Sequence, residues 1–288
     1  MPIFNKKIIF YILGVLFFAN VLAWLVVFDL AKAQFLEVHF FDVGQGDAIF
    51  IETPQRHQIL IDGGPGSIIL EKLSKEISFW DKTIDLIILT HPEADHLSGL
   101  NEVLKRYKIE NILWTGVIRD TAEYKEWLKS ISEEGAKISI AKAGQKISTR
   151  TVLLELLFPF ENLEGKEFKD SNNTSIVGKL VFGNISFLLT GDIYKEIEKE
   201  LIDRGVNVDS DILKISHHGS KTSTSEEFLK EVSPEIAVIS VGKNNSYNHS
   251  HQEVLEVLSK YGINVLRTDE QGDIKIISDG KNYALSNF

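Results

Sequence analysis

Four times in this chain an apolar run stops abruptly on acids or imidazoles. The stretches are QILIDGG, reaching Asp62; IDLIILTHPEADH, carrying His91, Glu93, Asp95 and His96; SFLLTGD, ending on Asp192; and ILKISHH, ending on His217 and His218. Such near-continuous apolar runs read as buried strands. A polar group at the end of a buried strand lies on the rim of a sheet, where α/β architectures keep their sites. Taken singly, each cluster has an ordinary explanation. Asp62 can hold a turn, Asp192 can cap the helix after it, and the two histidines can divide between core and surface. Four in one chain constrain the fold far more than any one of them.

The chemistry narrows further at His91-Pro92-Glu93-Ala94-Asp95-His96. Two imidazoles and two carboxylates converging without a cation are electrostatically poor, whereas one or two divalent metals turn them into ligands. There is no cysteine. Thiolate sites, disulfides and cysteine nucleophiles are therefore excluded, and a metal must be held by His, Asp, Glu or Asn. The net charge of -10 argues against a generally basic nucleic-acid binder, although a bound metal supplies positive charge locally.

Strands and helices alternate in two halves, each opening on a meander. EVHFFDVGQGDAIFIET reads as a strand, a Gly-rich corner and a second strand. SIVGKLVFGNISFLLTGD reads as a hairpin turning at Gly183-Asn184. Helical spacing recurs over Ile68 to Ile77, over Leu97 to Tyr107, and over Tyr194 to Arg204. A further helix over Glu123 to Ser132 places Tyr124, Trp127, Leu128 and Ile131 on one face. Thr224-x-x-Glu227 and Ser250-x-x-Glu253 have the capping-box form. INVLRT and DIKIIS are expected to close the chain as a strand pair. The pattern predicts an α/β fold, sheets with helices packed outside.

Ahead of all this, Ile8 to Phe28 carries no charge, with Lys6 and Lys7 before it and Asp29 after it. At 1.5 Å per residue a helix there spans a bilayer, and the flanking charges place its start in the cytoplasm. The competing reading is a cleaved signal peptide at Ala31-Lys32-Ala33. The expected organisation is an anchor over 1–35 and one exported domain over 36–288, making a single-pass plasma-membrane protein, or a secreted one if cleaved.

In order, DVGQGD, LIDGG, THPEADHLSG, a strand ending in TGD, and HHGS resemble the metallo-β-lactamase superfamily. DVGQGDAIFI, SNNTSIVGKL, KISHHGSKTS and VLRTDEQGDI resemble, within it, the hydrolase domain of the ComEC-type competence proteins. The resemblance covers roughly residues 36 to 285. It implies an αββα sandwich of two mixed sheets with one or two divalent metals, Zn²⁺ or Mn²⁺, at a sheet edge. It carries His91, Glu93, Asp95 and His96 over as ligands on the first loop, and Asp192 as a bridge between metals. His217, first off its strand, is the expected second-site ligand; His218 then lies behind it or contacts substrate, and the opposite assignment stays open. Asp62, Asp47 and Asn173 are expected to support the ligands from behind. Glu93 stands where the superfamily usually has a histidine, and another expected histidine has no match, Asn172 or Asn173 standing in its region. Such an oxygen-rich first position suits zinc or manganese and leaves one metal or two open.

The reaction this implies is hydrolysis of a phosphodiester, with single-stranded DNA as a candidate substrate. Asp95 would orient the nucleophile, with His218 and His249, in NNSYNHSHQEV, as further catalytic groups beside His251. With one apolar span, the chain is expected to partner a separate DNA-uptake channel rather than to transport DNA itself. Two alternatives stand: hydrolysis of another envelope ester, such as a phosphocholine ester, and a weakly active metal-binding module.

Overall fold

The structure, a computed structural model, describes residues 6–31 and 35–286. The chain divides into two compact units, Met1–Gln34 and Phe35–Phe288. The first is a single helix, α1 (Lys6–Ala31), of which Lys6–Trp24 is long and apolar enough to cross a membrane. Of the Ala-x-Ala motif, Lys32 and Ala33 lie outside the described residues.

The second unit opens with β1 (Leu36–Phe40), β2 (Ile49–Glu52), β3 (Gln58–Ile61), β4 (Thr83–Leu89), β5 (Lys108–Trp114) and β6 (Lys137–Ile140). It continues with β7 (Lys146–Ser148), β8 (Val152–Phe158), β9 (Val177–Phe182), β10 (Ile185–Leu189), β11 (Ile212–Lys214), β12 (Ile236–Ile239) and β13 (Asn264–Arg267). It closes on β14 (Ile274–Ser278) and β15 (Tyr283–Ser286). The helices are α2 (Ile68–Glu76), α3 (Ala94–Leu104), α4 (Ala122–Glu134), α5 (Lys195–Asp203), α6 (Glu226–Val232), α7 (Gln252–Lys260) and the short α8 (Thr268–Gln271).

Two mixed sheets form, ordered β15-β14-β1-β2-β3-β4-β5-β6 and β13-β12-β11-β10-β9-β8-β7. One apolar layer lies between the sheets, with Phe40, Ile51, Phe187 and Val238 in it. The other two lie under the helices, around Phe50, Leu100 and Trp127 on one side and Phe228 and Leu258 on the other. Three apolar layers between four structural layers are what αββα packing requires, since each sheet must bury both faces. Strand alternation sorts the side chains: in β4, Leu86 and Ile88 face the other sheet while Ile87 and Leu89 face the helices.

The hairpin turns at Gly183-Asn184 as expected. Other expectations are corrected. INVLRT and DIKIIS do not pair with each other: β13 joins β12 in one sheet and β14 joins β1 in the other. The helix over Leu97 ends at Leu104, yet Tyr107 is still buried beyond it. Leu128 is 40% exposed, off the face that Tyr124, Trp127 and Ile131 bury. The N-caps fall one residue later than the capping-box reading. Ser225, not Thr224, accepts from Phe228 N, and His251, not Ser250, precedes α7. Thr224 is unavailable because its backbone is at φ 61° and its N–H donates to Glu198.

Candidate metal centre

The parallel strands β3 and β4 end together, and β10 and β11 end together in the facing sheet. The four polar strand-end clusters therefore meet on one rim. Glycine draws them tight. A Cβ on Gly99 of α3 would lie 1.8 Å from the Gly63 carbonyl oxygen, so α3 packs directly onto the turn after Asp62. Gly46 comes equally close to the Asp95 carbonyl, which accepts from Asp47 N at 3.3 Å.

Asp62 is fully buried. Its carboxylate accepts from Thr90 N at 2.8 Å and Thr90 Oγ1 at 2.7 Å, and faces His96 Nδ1 at 2.8 Å. That contact fixes the His96 ring so that Nε2 faces Asp192 Oδ2 at 3.3 Å. His218 donates Nδ1–H to the Ser240 carbonyl at 2.8 Å and turns Nε2 toward Asp192 Oδ2 at 3.2 Å and Asp95 Oδ2 at 3.5 Å. His91 lies 4.2 Å from His96, ring centre to ring centre. Potential ligand atoms fall within 4.8 Å of one another in the sets His91–His96–Asp192, Asp95–His96–His218 and Asp47–Asp192–His218, and also in Asp47–Asp62–His96.

Of the adjacent histidines, it is therefore His218 that the structure brings to the carboxylates, whereas His217 was the expected ligand. Both sit at positive φ, 49° and 53°. This left-handed step, uncommon for residues with a side chain, turns the two rings apart. His217 meets Asn172 Nδ2 at 3.3 Å and Thr222 Oγ1 at 3.1 Å and packs on Tyr194. Glu93 joins none of these sets, though it lines the same cavity as Asp95 and His218. Arg119 pairs with its Oε1 at 2.9 Å and Ser171 Oγ donates to the same oxygen. Asn173 accepts from Tyr194 N at 2.7 Å, bracing the loop that carries Asp192. His249 flanks the mouth, 5.2 Å from the His217 ring and 6.2 Å from that of His218.

The residue that the sequence reading passed over is Lys214. It is fully buried, with Nζ 2.6 Å from Asp47 Oδ2 and 3.7 Å from Asp192 Oδ1, and it donates to the Gly191 and Ile215 carbonyls. Alternation along ILKIS carried the signal. Lys214 is two residues from Ile212, which faces the layer between the sheets, so Lys214 must point inward as well.

The donor set fits a divalent metal. Asp47 Oδ1, His91 Nε2, Asp192 Oδ1 and His218 Nε2 are buried polar atoms without hydrogen-bond partners, an arrangement too costly to persist uncompensated. Charge balance agrees. Burial disfavours a protonated His96 or His218, yet Asp192 and the neighbouring carboxylates push both well above the ordinary histidine range. A site that draws protons onto two imidazoles offers the same field to a metal cation. His91 differs: burial, then the proximity of His96, holds it down to about 3, so it stays neutral and able to ligate. Burial would raise Asp95, but His96 and His218 hold it well below the usual carboxylate range.

An αββα sandwich with imidazoles and carboxylates gathered on one rim of its sheets defines a metallo-β-lactamase-like protein. The chain belongs to the metallo-beta-lactamase superfamily, whose sequence profile matches residues 41–243. It is 37% identical over 257 residues to ComE operon protein 3 of Bacillus subtilis, covering 83% of this chain and 32% of that protein. It is 31% identical over 240 residues to competence protein ComA of Neisseria gonorrhoeae, again covering 83% and 32%. The chain thus spans about a third of the length of these curated relatives. Among solved structures, the metallo-beta-lactamase fold protein YhfI of Bacillus subtilis aligns with a TM-score of 0.57 at 12% identity, over 83% of this chain and 99% of that one.

Proposed function

We propose that this chain is a metal-dependent phosphodiester hydrolase, anchored by α1 with the domain outside the cytoplasm, and that its substrate is nucleic acid. The observation that carries the proposal is the convergence of buried imidazoles and carboxylates in overlapping sets that share Asp192, His96, His218 and Asp47, several of their atoms lacking a hydrogen bond. Asp192, in contact with both His96 and His218, would be shared between the groups that hold the metal. His91 and His96 would form one such group, and His218 and Asp95 the other. A bound divalent metal, Zn²⁺ or Mn²⁺, would supply Lewis acidity, lowering the pKa of water and polarising a phosphoryl oxygen.

The chain's own groups do the rest. Asp62 and the Ser240 carbonyl hold the His96 and His218 rings in one orientation. Asp95, kept ionised by His96 and His218, accepts from and aligns the attacking water. His249 is held down to about 4 by burial and by the neighbouring His217 and His218. It is therefore neutral near pH 7 and donates a hydrogen bond to the departing oxygen, which takes its proton from the solvent in the open mouth, where the proton of the attacking water is also released. Asp95 and His249 line the same cavity of about 330 Å³, within the range of small-ligand sites.

Support for nucleic acid comes from the mouth of that cavity. Tyr247 is 63% exposed and stacks on His249 at 5.6 Å and 24°, offering a face on which a base can lie. The Neisseria relative is named a competence protein, and a separate uptake channel is the partner this context suggests. The test is hydrolysis of single-stranded DNA and of a choline phosphate ester by the full chain in detergent with Zn²⁺ or Mn²⁺, beside Tyr247→Ala. DNA cleavage that weakens in the variant supports the reading. Turnover of the choline ester alone moves the substrate to envelope esters. Bound metal with neither activity leaves a binding module.

A further inference from the structure

The pole of the domain opposite the metal centre carries features that the hydrolase reading does not use. Phe79 and Trp80, in the loop between α2 and β4, are 79% and 73% exposed and meet edge to face at 4.7 Å. No other large apolar side chain described in the second unit exceeds 63%. Singly exposed apolar residues are commonplace, but a paired Phe-Trp at a loop tip marks a binding surface. Lys82, Arg106 and Lys108 surround that loop. All three are exposed, Lys108 N donates to the Lys82 carbonyl at 2.7 Å, and none enters an ion pair among the described residues. Of the acids near them, Asp81 accepts from Gln58, Asp85 meets His57, and Glu134 accepts from Ile109 N. Three exposed cations without ion pairs thus surround an aromatic tip, in a chain of net charge -10.

Strand register places the loop beside the point where the chain enters the domain. β1 and β4 both start at this pole: Glu37 pairs with Glu52, Glu52 with Gln58, and Ile59 with Leu86. Three strand spacings, about 14 Å, separate β1 from β4. Lys275 Nζ ties the two regions, 2.6 Å from Glu37 and 3.8 Å from Glu76 at the end of α2. Phe35, the first residue of the second unit, follows the helix that carries the apolar stretch Lys6–Trp24.

We propose that this pole is a bilayer-contact face, with Phe79 and Trp80 seated among the headgroups of anionic lipid and Lys82, Arg106 and Lys108 beside their phosphates. Aromatic rings at headgroup depth flanked by basic side chains are the chemistry of membrane interfaces. Two attachments, a span and a second contact face, fix an orientation that a span alone does not. His91 lies eight residues along β4 from Thr83, about 26 Å at strand rise. The face therefore holds the metal centre away from the lipid and open to solvent. The proposal rests on the reading that α1 spans a membrane.

The absence of natural cysteine makes the test direct. The full chain carrying Trp80→Cys, or Glu161→Cys at the opposite pole, is labelled with an environment-sensitive fluorophore. It is then reconstituted into vesicles of phosphatidylcholine and phosphatidylglycerol, with and without spin-labelled lipid. Flotation after a carbonate wash reads the span, and quenching reads the face. The expected result is flotation of both proteins, with the label at 80 quenched at least about twofold more than that at 161 and the difference reduced in pure phosphatidylcholine. Flotation with equal quenching overturns the face and leaves the span. No flotation overturns the span, and the face falls with it.

Discussion

Lys214 Nζ lies 2.6 Å from Asp47 Oδ2 with both side chains shut away from solvent. Burial works against the Lys214 charge, but Asp47 and Asp192 outweigh it and keep the ammonium ionised. One fixed cation therefore sits directly behind the donor cluster and holds Asp47 in place. Lys214→Met leaves that buried carboxylate facing only His218 Nδ1 at 3.5 Å and His96 Nδ1 at 3.9 Å, so the loss should reach at most the roughly 3–5 kcal/mol seen when one member of a buried pair is removed. Urea unfolding of the full chain in chelator should show that loss, and saturating Zn²⁺ should return part of it by supplying charge from the front. Equal midpoints for parent and variant would show that the pair contributes nothing.

His217 and His218 offer the sharpest separation of roles. His218 Nε2 faces Asp192 and Asp95, whereas His217 is turned to Asn172, Thr222 and Tyr194. His218→Ala should strip metal beyond the roughly 10–100-fold loss typical of removing a group behind a ligand. His217→Ala should keep its metal and lose turnover through a disturbed mouth. Metal-to-protein ratios after dialysis against graded chelator decide between them, and the reverse ranking would restore His217 as the ligand.

The rim itself was legible in the sequence because each cluster follows a strand whose apolar run is unmistakable. The αββα layering followed from alternating elements and from the resemblance. The particular directions of side chains were not legible. A left-handed step at His217 and His218 reverses which ring points inward, and no spacing rule carries that information. Glu93 sits among ligands in sequence, but Arg119, 26 residues later, claims its carboxylate. Lys214 was readable from strand alternation alone, yet a lysine in an apolar strand invites an outward reading. Across the sheets, β13 and β14 were separated by tertiary pairing that local pattern does not encode.

Asp62 sets the ring of His96, facing its Nδ1 at 2.8 Å. Asp62→Asn keeps the size of the side chain and removes the charge that orients the imidazole. Metal affinity should fall about 10–100-fold, with a far smaller change in unfolding midpoint in chelator. A competition titration with a chromophoric chelator measures the first and urea unfolding the second. Unaltered affinity would mean that His96 is held by packing alone.

Glu37 gives a pH dependence far from the metal centre. The His39 imidazole and the Lys275 ammonium hold its carboxyl down to about 2, against the opposing effect of burial. A carboxyl depressed in the folded state binds its proton more readily when unfolded, so stability is lost as pH falls. The contribution is fully present above the unfolded value of about 4.5 and disappears as pH drops through about 2. Glu37 is partly exposed, so its contribution is small and screened by salt. Glu37→Gln should lower the urea midpoint at pH 7, and the gap between parent and variant should narrow steadily from pH 4.5 downward. A gap that stays constant over that range would show that the carboxylate charge does not hold β1 to β14.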